Sequence, residues 1–364
     1  MKVAIDSGPL RGGDSFRGIG MYTREYIEAL KKIEKSDSKN FSLKVIDFSA
    51  NDLSGFDILH YPTFHPHFLT LPFDLWLPGK NKPKIVVTIH DLIRLIYPDA
   101  YPPGLRGKMK FEVQKFLLRF VDAILTISET SKKDIVRFLP VEPDKVFNIS
   151  GAGRSVYKPT HDLDTLNRIS LKYSLPRKFV LYVGDVNYNK NIMVLAEACE
   201  KVKIPLVIVG KQAVSTNVNF DHTENIPFRK FLDKYQDDAL VMRLGFVPDE
   251  DLKVIYSLAT LYCQPALYEG FGMIVLEAFA CETPVLIAKT QALVEISGDA
   301  AMTADPKSPD DFANKIVKLI NLSSERIKLV RNGTARLKDF SWDKTAELAL
   351  GVYKQVLDRD HSRK

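Results

Sequence analysis

The chain has 364 residues, of which 45% are hydrophobic and 26% are charged, an ordinary composition for a folded globular protein that argues against a disordered or fibrous one. At about 100–200 residues per domain, this length favours two domains. Lys and Arg number 51 against 45 Asp and Glu, so the formal net charge of +6 provides no broad basic field for nucleic acid.

The first half of the chain alternates short β-branched runs with helical patterns, which predicts βαβ units and a parallel sheet. A strand over 2–6 is followed by a glycine-rich loop with Gly18 and Gly20 and then by a helix over 22–33. The other elements predicted here are strands at 43–47, 58–60, 84–89 and 123–127 and a helix at 129–138 that has Ser128 as its N-cap.

The second half repeats this alternation after Gly and Pro residues interrupt the pattern. We predict an N-terminal Rossmann-like domain over 1–155, a linker over 156–176 and a C-terminal Rossmann-like domain over 177–342. A final amphipathic helix is predicted at 343–357. The elements predicted in between are strands at 179–183, 205–209, 239–244, 261–264 and 284–288 and helices at 191–202, 249–259 and 273–281.

Three cysteines, Cys199, Cys263 and Cys281, are too few for a disulfide framework and fit no zinc-site spacing. They favour a reducing, cytoplasmic location. The N-terminus has the pattern of a strand and not of a signal peptide. No uncharged apolar run reaches the roughly 18 residues that a membrane-spanning helix needs.

Glu277 is the strongest single signal, because every other residue from 273 to 281 is apolar or small. A helix that is apolar all round is buried. A lone carboxylate inside it lowers the stability of the fold by roughly several kcal/mol unless it is paired. The sequence therefore demands a partner for Glu277. A backbone amide or an arginine would make it structural, whereas a ligand hydroxyl would make it functional.

The residues just before this helix suit an anion. Gly270 and Gly272 let backbone N–H groups approach closely, and a helix N-terminus carries about half a positive charge. Glu269 lies in front of the helix and Glu277 within it. The amides could bind a phosphate, and the carboxylates on either side could bind hydroxyl groups. A ligand that carries both phosphate and hydroxyl groups in this arrangement is a sugar nucleotide.

Glu269 and Glu277 enclose seven residues, as in the E-x7-E motif of the family 4 retaining glycosyltransferases, and the chain resembles that family over nearly its whole length. The other segments that match the family, in the same order, are 16–22, 87–92, 182–191, 244–249 and 340–342. The resemblance implies an α/β fold of the GT-B type: two Rossmann-like domains with parallel sheets facing each other across a cleft, and a C-terminal helix (343–364) that packs back on the first domain.

The resemblance also implies the chemistry. A hexose of the mannose or glucose type would pass, with retention, from a GDP- or UDP-sugar donor to a glycan or lipid-linked acceptor, with no metal and no other cofactor. The implied catalytic residues are His90, Lys190 and Glu269. The implied donor-binding residues are Gly18, Gly20, Gly184, Lys211, Val247, Gly270, Phe271, Gly272 and Glu277.

The chain departs from the family at Asp185 and Asn189, where an arginine is usual. Arg17, Lys211 or Arg154 are the candidates for the missing positive charge. Because of this departure, a non-catalytic nucleotide-sugar-binding protein remains an alternative. A nucleotide-sugar epimerase is a second alternative, because it could have the same architecture. His60, His65 and His67 lack a clear acidic partner, so we expect no metal site there.

The segment 106–120 has an apolar stripe and a basic stripe at helical spacing. A helix packed on the sheet with solvated lysines is the interpretation we favour. The alternative is peripheral contact with the anionic inner face of the cell membrane.

Overall fold

The computed structural model describes residues 1–12, 18–77 and 82–361. They form two compact units. Unit 1 consists of Met1–Pro98, Pro102–Ala152 and Phe340–Lys364, and unit 2 consists of Asp99–Tyr101 and Gly153–Asp339.

Strands and helices alternate along the described chain, as the sequence predicts. The strands are β1 (Lys2–Asp6), β2 (Ser42–Ile46), β3 (Ile58–Tyr61), β4 (Lys84–Thr88), β5 (Ala123–Thr126), β6 (Val146–Asn148), β7 (Val180–Val183), β8 (Leu206–Val209), β9 (Val241–Gly245), β10 (Leu261–Gln264), β11 (Val285–Ala288) and β12 (Ala301–Ala304). The α-helices are α1 (Gly18–Ser36), α2 (Ile93–Ile96), α3 (Gly104–Leu118), α4 (Glu129–Phe138), α5 (Leu163–Lys172), α6 (Ile192–Val202), α7 (Ile226–Tyr235), α8 (Asp249–Leu258), α9 (Met273–Ala280), α10 (Gln291–Ser297), α11 (Pro309–Asn321), α12 (Ser323–Arg336) and α13 (Trp342–His361).

Unit 1 is built on a six-stranded sheet with the order β2-β1-β3-β4-β5-β6. Every strand pairing in it is parallel. The inner strands are buried along their length, which is why they appear in the sequence as continuous apolar runs and not as alternating ones. Ser128 caps α4 as predicted, since its side chain accepts a hydrogen bond from the Ser131 amide.

A buried chain of hydrogen bonds fastens α1 and α13 to the sheet of unit 1. The Tyr26 and Tyr353 hydroxyls are 2.7 Å apart, and Tyr353 also bonds to His60 Nδ1 at 2.7 Å. His60 Nε2 bonds to the Thr88 hydroxyl at 2.7 Å. Burial, with a smaller contribution from His90, lowers the pKa of His60 to about 3. Both ring nitrogens of this histidine are therefore engaged inside the protein.

Unit 2 contains a second parallel six-stranded sheet, with the order β12-β11-β10-β7-β8-β9. Counted from β7, this is the strand order of the dinucleotide-binding Rossmann fold. The chain first builds outward from β7 to β9 and then returns to place β10 on the other side of β7. The order therefore reverses between β7 and β10, and in open α/β sheets the ligand crevice lies at such a point.

The structure differs from the predicted elements in several places. The glycine-rich loop ends earlier than predicted, because Gly18 and Gly20 lie in the first turns of α1. The segment predicted as a linker, 156–176, belongs to unit 2, where its helix α5 packs against α8. The helices α2, α7, α10, α11 and α12 and the strands β6 and β12 were not predicted.

No helix in the described part of the chain is both long and apolar enough to cross a membrane.

Candidate functional site

Lys190 and Glu269 meet at the point in unit 2 where the strand order reverses. Lys190 ends the loop that follows β7, and Glu269 follows β10. The Lys190 Nζ donates a hydrogen bond of 2.7 Å to Glu269 Oε1, and both side chains are mostly buried. Gln264, the last residue of β10, donates from Nε2 to the same carboxylate oxygen at 2.6 Å. The structure thus brings together two of the predicted catalytic residues and adds Gln264, which the sequence analysis missed.

Glycines allow two backbone segments to touch beside this pair. A Cβ at Gly210 would lie 2.1 Å from the carbonyl oxygen of Gly184, so the position after β8 accepts no larger residue without a shift. Gly184 itself has φ +143°, and a Cβ there would meet the Tyr182 hydroxyl at 3.2 Å. These contacts shape the loop that delivers Lys190.

Asn189 holds that loop in place. Its side chain is buried, its Oδ1 accepts from the Tyr101 hydroxyl at 2.6 Å, and its Nδ2 donates to the Tyr268 carbonyl at 3.1 Å. The Asn189 carbonyl accepts from the Leu267 amide at 2.8 Å. The residue that stands where the family usually has an arginine therefore ties the Lys190 loop to the segment that carries Glu269.

The helix α9 begins directly behind this pair. Gly272 precedes it with φ +108°, a left-handed conformation that a larger side chain adopts only with strain. Phe271 is buried, as is Gly270. The first amides of α9 give this end of the helix a partial positive charge, and the helix begins four residues after Glu269, the residue that Lys190 contacts. Both features favour an anion at the same place.

Glu277 is 1% exposed, and its partner is Arg154. Arg154 Nε donates to Glu277 Oε1 at 2.5 Å, and Nη2 lies 3.3 Å from Oε2. The buried carboxylate that the sequence required to be paired is thus satisfied by an arginine, one of the two structural partners considered. A carboxylate has about four acceptor positions, so a fork from one arginine leaves room for further hydrogen bonds.

Arg154 also joins Glu277 to a second carboxylate. Its Nη1 donates to both oxygens of Asp249 at 3.0 and 3.1 Å, and its Nη2 donates to the Tyr157 hydroxyl at 2.5 Å. The Tyr157 hydroxyl donates to Asp249 at 2.9 Å. Burial opposes the charge of Arg154, but Glu277, together with Tyr157 and Asp249, more than offsets this and raises the arginine's pKa. Burial, with the charge of Glu277, raises the pKa of Tyr157.

The sequence analysis named Arg154 as a candidate for a missing charge but did not pair it with Glu277. The two residues are 123 positions apart, so no local pattern connects them. Gly153 is the one local hint. A Cβ at this glycine would lie 3.2 Å from Leu276 Cβ and 3.5 Å from the Glu277 amide, so the loop that enters unit 2 passes close against α9.

Lys211 and Val247 are the remaining predicted donor residues of unit 2. Lys211 Nζ lies 4.8 Å from the centre of the exposed Phe246 ring, a cation–π contact. Val247 is buried, so its side chain belongs to the core and its neighbour Phe246 presents the exposed surface.

Unit 1 carries the other predicted site residues. His90 follows β4 and is buried, and its Nε2 lies 3.1 Å from the Pro62 carbonyl oxygen. Burial lowers the pKa of His90 to about 4, although the hydrogen bond that its ring donates to the Pro62 carbonyl acts in the opposite direction, so the ring is neutral at pH 7. Tyr22 packs edge-on against His90 at 4.8 Å and against Trp342 at 5.1 Å. The matched segment at 340–342 therefore supports the His90 side of unit 1.

The glycine segment of unit 1 is described only in part, since Arg17 lies outside the described residues. Gly18 is exposed, and a Cβ there would meet no atom within 4 Å. Gly20, two residues further along α1, is buried. Within the described residues, no group of three or more His, Cys, Asp or Glu side chains is placed to hold a metal ion.

Two family models match the chain. That of the glycosyl transferases group 1 matches residues 165–336, within unit 2, and that of glycosyltransferase family 4 matches residues 36–150. Curated relatives include O-antigen chain mannosyltransferase B of Escherichia coli, 28% identical over 291 residues that cover 77% of this chain and 72% of the relative. The serotype-specific mannosyltransferase WbdA of Escherichia coli is 27% identical over 286 residues, which cover 77% of this chain but only 35% of the relative.

Solved structures share the fold along the whole chain. Sucrose-phosphate synthase of Thermosynechococcus elongatus matches with a TM-score of 0.75 and 20% identity, over 99% of this chain and 100% of that one. Anabaena HepE in complex with UDP-glucose matches with a TM-score of 0.67 and 13% identity, over 100% of both chains. The expected α/β architecture, with two parallel sheets in the GT-B manner, is confirmed. With both family models matched in order along the chain, the protein belongs to the group 1 and family 4 glycosyltransferases.

Proposed function

We propose that this protein is a retaining hexosyltransferase that transfers mannose from a nucleotide diphosphate sugar to an acceptor hydroxyl. The observation that carries the proposal is the Lys190–Glu269 contact in front of α9, at the reversal point of a Rossmann sheet. Mannose is favoured because the relatives named above are mannosyltransferases. The donor is a GDP- or UDP-sugar, and HepE, which shares the fold, was solved with UDP-glucose.

Each part of the unit 2 site has a proposed task. Lys190 and the first amides of α9 neutralise the diphosphate, whose negative charge grows as the glycosidic bond breaks. Glu269 binds a hydroxyl of the donor sugar, and Gln264 keeps its carboxylate in position at 2.6 Å. Glu277 accepts hydrogen bonds from the ribose hydroxyls, and Arg154 holds its carboxylate in place.

The proposed reaction needs no nucleophile from the protein. The acceptor oxygen attacks the anomeric carbon on the face from which the diphosphate leaves, and its proton passes to a departing phosphate oxygen. The positive charge that this requires is supplied by Lys190 and the helix amides, and so we propose that no metal takes part. The neutral His90 ring suits hydrogen bonding to a sugar hydroxyl better than proton transfer at pH 7.

The test is a panel of GDP- and UDP-hexoses, read out by nucleotide release with and without glycan and lipid-linked acceptors. Acceptor-dependent release with a retained anomeric product supports the proposal. A donor converted to its epimer without any acceptor would establish an epimerase instead, and nucleotide binding without any turnover would establish a non-catalytic binding protein.

Lys190→Ala gives the residue-level test. Loss of one group that stabilises developing charge costs about 10²–10³ in kcat. Lys178→Ala is the matched control, since Lys178 is an exposed lysine that precedes β7. Equal rates for the two variants would refute the assignment of Lys190 to the diphosphate.

We also propose peripheral membrane contact at the cytoplasmic face, through α3. Leu105 is 78% and Met109 64% exposed, and Phe116 and Phe120 are exposed as well, contrary to a helix with its whole apolar stripe packed inward. The exposed Arg106 and Arg119 lie on or next to this helix and match the charge of an anionic bilayer. Co-sedimentation with phosphatidylglycerol vesicles, but not with phosphatidylcholine vesicles, is expected; no binding to either contradicts the contact.

A further inference from the structure

The Lys190–Glu269 contact places a negative charge beside the proposed diphosphate site. The two groups are 2.7 Å apart, and their side chains are 19% and 12% exposed. A lysine ammonium group has three N–H donors, so Lys190 can hold a phosphate oxygen and Glu269 at the same time. Two acceptors on one tetrahedral nitrogen lie about 4–6 Å apart. A phosphate bound to Lys190 therefore lies within this distance of the Glu269 carboxylate.

The two carboxylate oxygens of Glu269 have different surroundings. Lys190 and Gln264 both donate to Oε1, at 2.7 and 2.6 Å. No residue that the structure describes donates a hydrogen bond to Oε2. Each carboxylate oxygen accepts about two hydrogen bonds. Oε2 can therefore accept from a hydroxyl of the donor sugar while Oε1 keeps the carboxylate in position.

The backbone on both sides of the Lys190–Glu269 pair is fixed. Asn191 follows Lys190 and has φ +56°. Its Nδ2 donates to the carbonyl of Pro265, directly after β10, at 3.0 Å and to the carbonyl of Pro306 at 2.8 Å. One side-chain amide thus joins the segments that follow β7, β10 and β12. The loop that carries Lys190 and the segment that leads to Glu269 are therefore held together when an anion binds.

The donor and the product of the proposed transfer differ in charge at this place. In a nucleotide diphosphate sugar, the terminal phosphate is esterified and carries one negative charge. In the free nucleoside diphosphate, the same phosphate carries almost two negative charges at pH 8, because the second pKa of a terminal phosphate is about 6. The sugar hydroxyl beside Glu269 is lost in the same step. Glu269 is thus paired in the donor complex and lies next to added negative charge in the product complex.

We propose that Glu269 lowers the affinity of the protein for its nucleoside diphosphate product more than for its donor, by repelling the second charge of the terminal phosphate. The inference rests on the proposed glycosyl transfer and gives Glu269 a second task, the release of the product. Like charges about 4–6 Å apart repel each other more strongly in a partly buried site, where water and salt screen them less. Product release limits the turnover of many enzymes, so this charge shortens the time for which the site is occupied.

Glu269→Gln is the variant that removes the charge and keeps the shape. Its Oε1 can still accept from Lys190 and Gln264, as in the wild type. Glu250→Gln is the matched control, because Glu250 carries the same charge in unit 2, is 70% exposed and pairs with Lys253 on α8. Glu269→Ala, which also removes the charge, replaces Glu269→Gln if that variant does not fold.

The assay is calorimetric titration of GDP and of UDP into the whole chain at pH 8. Glu269→Gln should bind the nucleoside diphosphate about tenfold more tightly than the wild type does, and the control should bind it as the wild type does. The β-methyl ester of the same nucleotide carries one charge on its terminal phosphate and should gain less affinity from the substitution. A variant that binds the diphosphate no more tightly than the wild type, or that gains equally with the ester, overturns the proposal.

Binding of the matching nucleotide sugar separates this proposal from a general tightening of the site. The donor should bind Glu269→Gln no more tightly than the wild type, because the substitution also weakens the hydrogen bond from the sugar hydroxyl. An equal gain for donor and product would show that Glu269 does not discriminate between them, and so contradicts the proposal. Failure of the proposed function itself would appear as a wild-type protein that binds neither GDP nor UDP, before any variant is compared.

Discussion

Replacing Arg154 by methionine would strand a carboxylate that is only 1% exposed. In the wild type, Glu277 receives the arginine fork at 2.5 and 3.3 Å. Arg154 is itself only 12% exposed, so water does not replace it freely when the side chain is shortened or made apolar. Methionine keeps most of the volume of the side chain, so the change is mainly one of charge and hydrogen bonding.

The expected loss of stability follows from the burial of the pair. Removing one partner of a buried ion pair costs about 3–5 kcal/mol, because the other charge is left unpaired. The Arg154–Asp249 half of the network provides the internal control, since Asp249 is 43% exposed, water can replace its contacts, and such a pair is worth about 0–1 kcal/mol. For a unit of this size, about 1 kcal/mol shifts the midpoint by roughly 2–4 °C. Arg154→Met should therefore lower the thermal midpoint by roughly 6–20 °C, and Asp249→Asn by a few degrees at most (about 4 °C).

The assay is scanning calorimetry of Arg154→Met, Asp249→Asn and the double variant Arg154→Met with Glu277→Gln. The double variant should recover most of the loss, because the stranded charge is gone. It should nevertheless bind GDP and UDP weakly, since the ribose partner has been neutralised. If Arg154→Met is no less stable than Asp249→Asn, or if Glu277→Gln recovers nothing, Glu277 does not depend on Arg154.

Three further results are expected. Gly210→Ala should destabilise unit 2 by about 3 kcal/mol or more, because its Cβ would lie 2.1 Å from the Gly184 carbonyl oxygen. The control, Gly351→Ala, lies in open space on α13 and should stabilise the protein by about 0.5–1 kcal/mol. Chemical unfolding measures both changes, and similar effects would contradict the close approach at Gly210. The free energy of unfolding should fall as the pH drops from 7 to 5, by about 2 kcal/mol each for His60 and His90. The unfolded histidines bind protons below about pH 6.5, whereas the folded ones, with pKa values of about 3 and about 4, do not. A flat profile over this range would contradict the buried neutral rings. Turnover should survive dialysis against EDTA, and its loss with recovery on adding Mg²⁺ would refute the metal-free proposal.

Much of the fold could be predicted from the sequence because the two sheets are buried on both faces. Strands such as β4 and β7 then appear as short apolar runs that end at glycine or polar residues, and that signal is local. The same is true of Ser128, whose capping role depends on the three residues after it. The helix α11 carries local signals that the sequence analysis did not use: Ser308 caps it, and its buried residues 312, 313, 316 and 319 recur at helical spacing.

The candidate site divides in the same way. The segment 269–277 could be predicted as part of the site from the sequence, since a single carboxylate in an apolar helix and two glycines before it are visible in nine consecutive residues. Its closeness to Lys190 could be anticipated only through the rule that ligands bind beyond the carboxyl ends of parallel strands. The strand order that places β7 beside β10 turned that expectation into a 2.7 Å contact.

What the sequence determined by itself was therefore local: which segments are strands and helices, where their polar ends lie, and that Glu277 must have a partner. The identity of that partner and the use of Asn189 as a structural tie were decided by the tertiary structure. The physical reason is that the free energy of a buried charge depends on whichever group the fold brings within hydrogen-bonding distance. For Glu277 that group is 123 residues away along the chain.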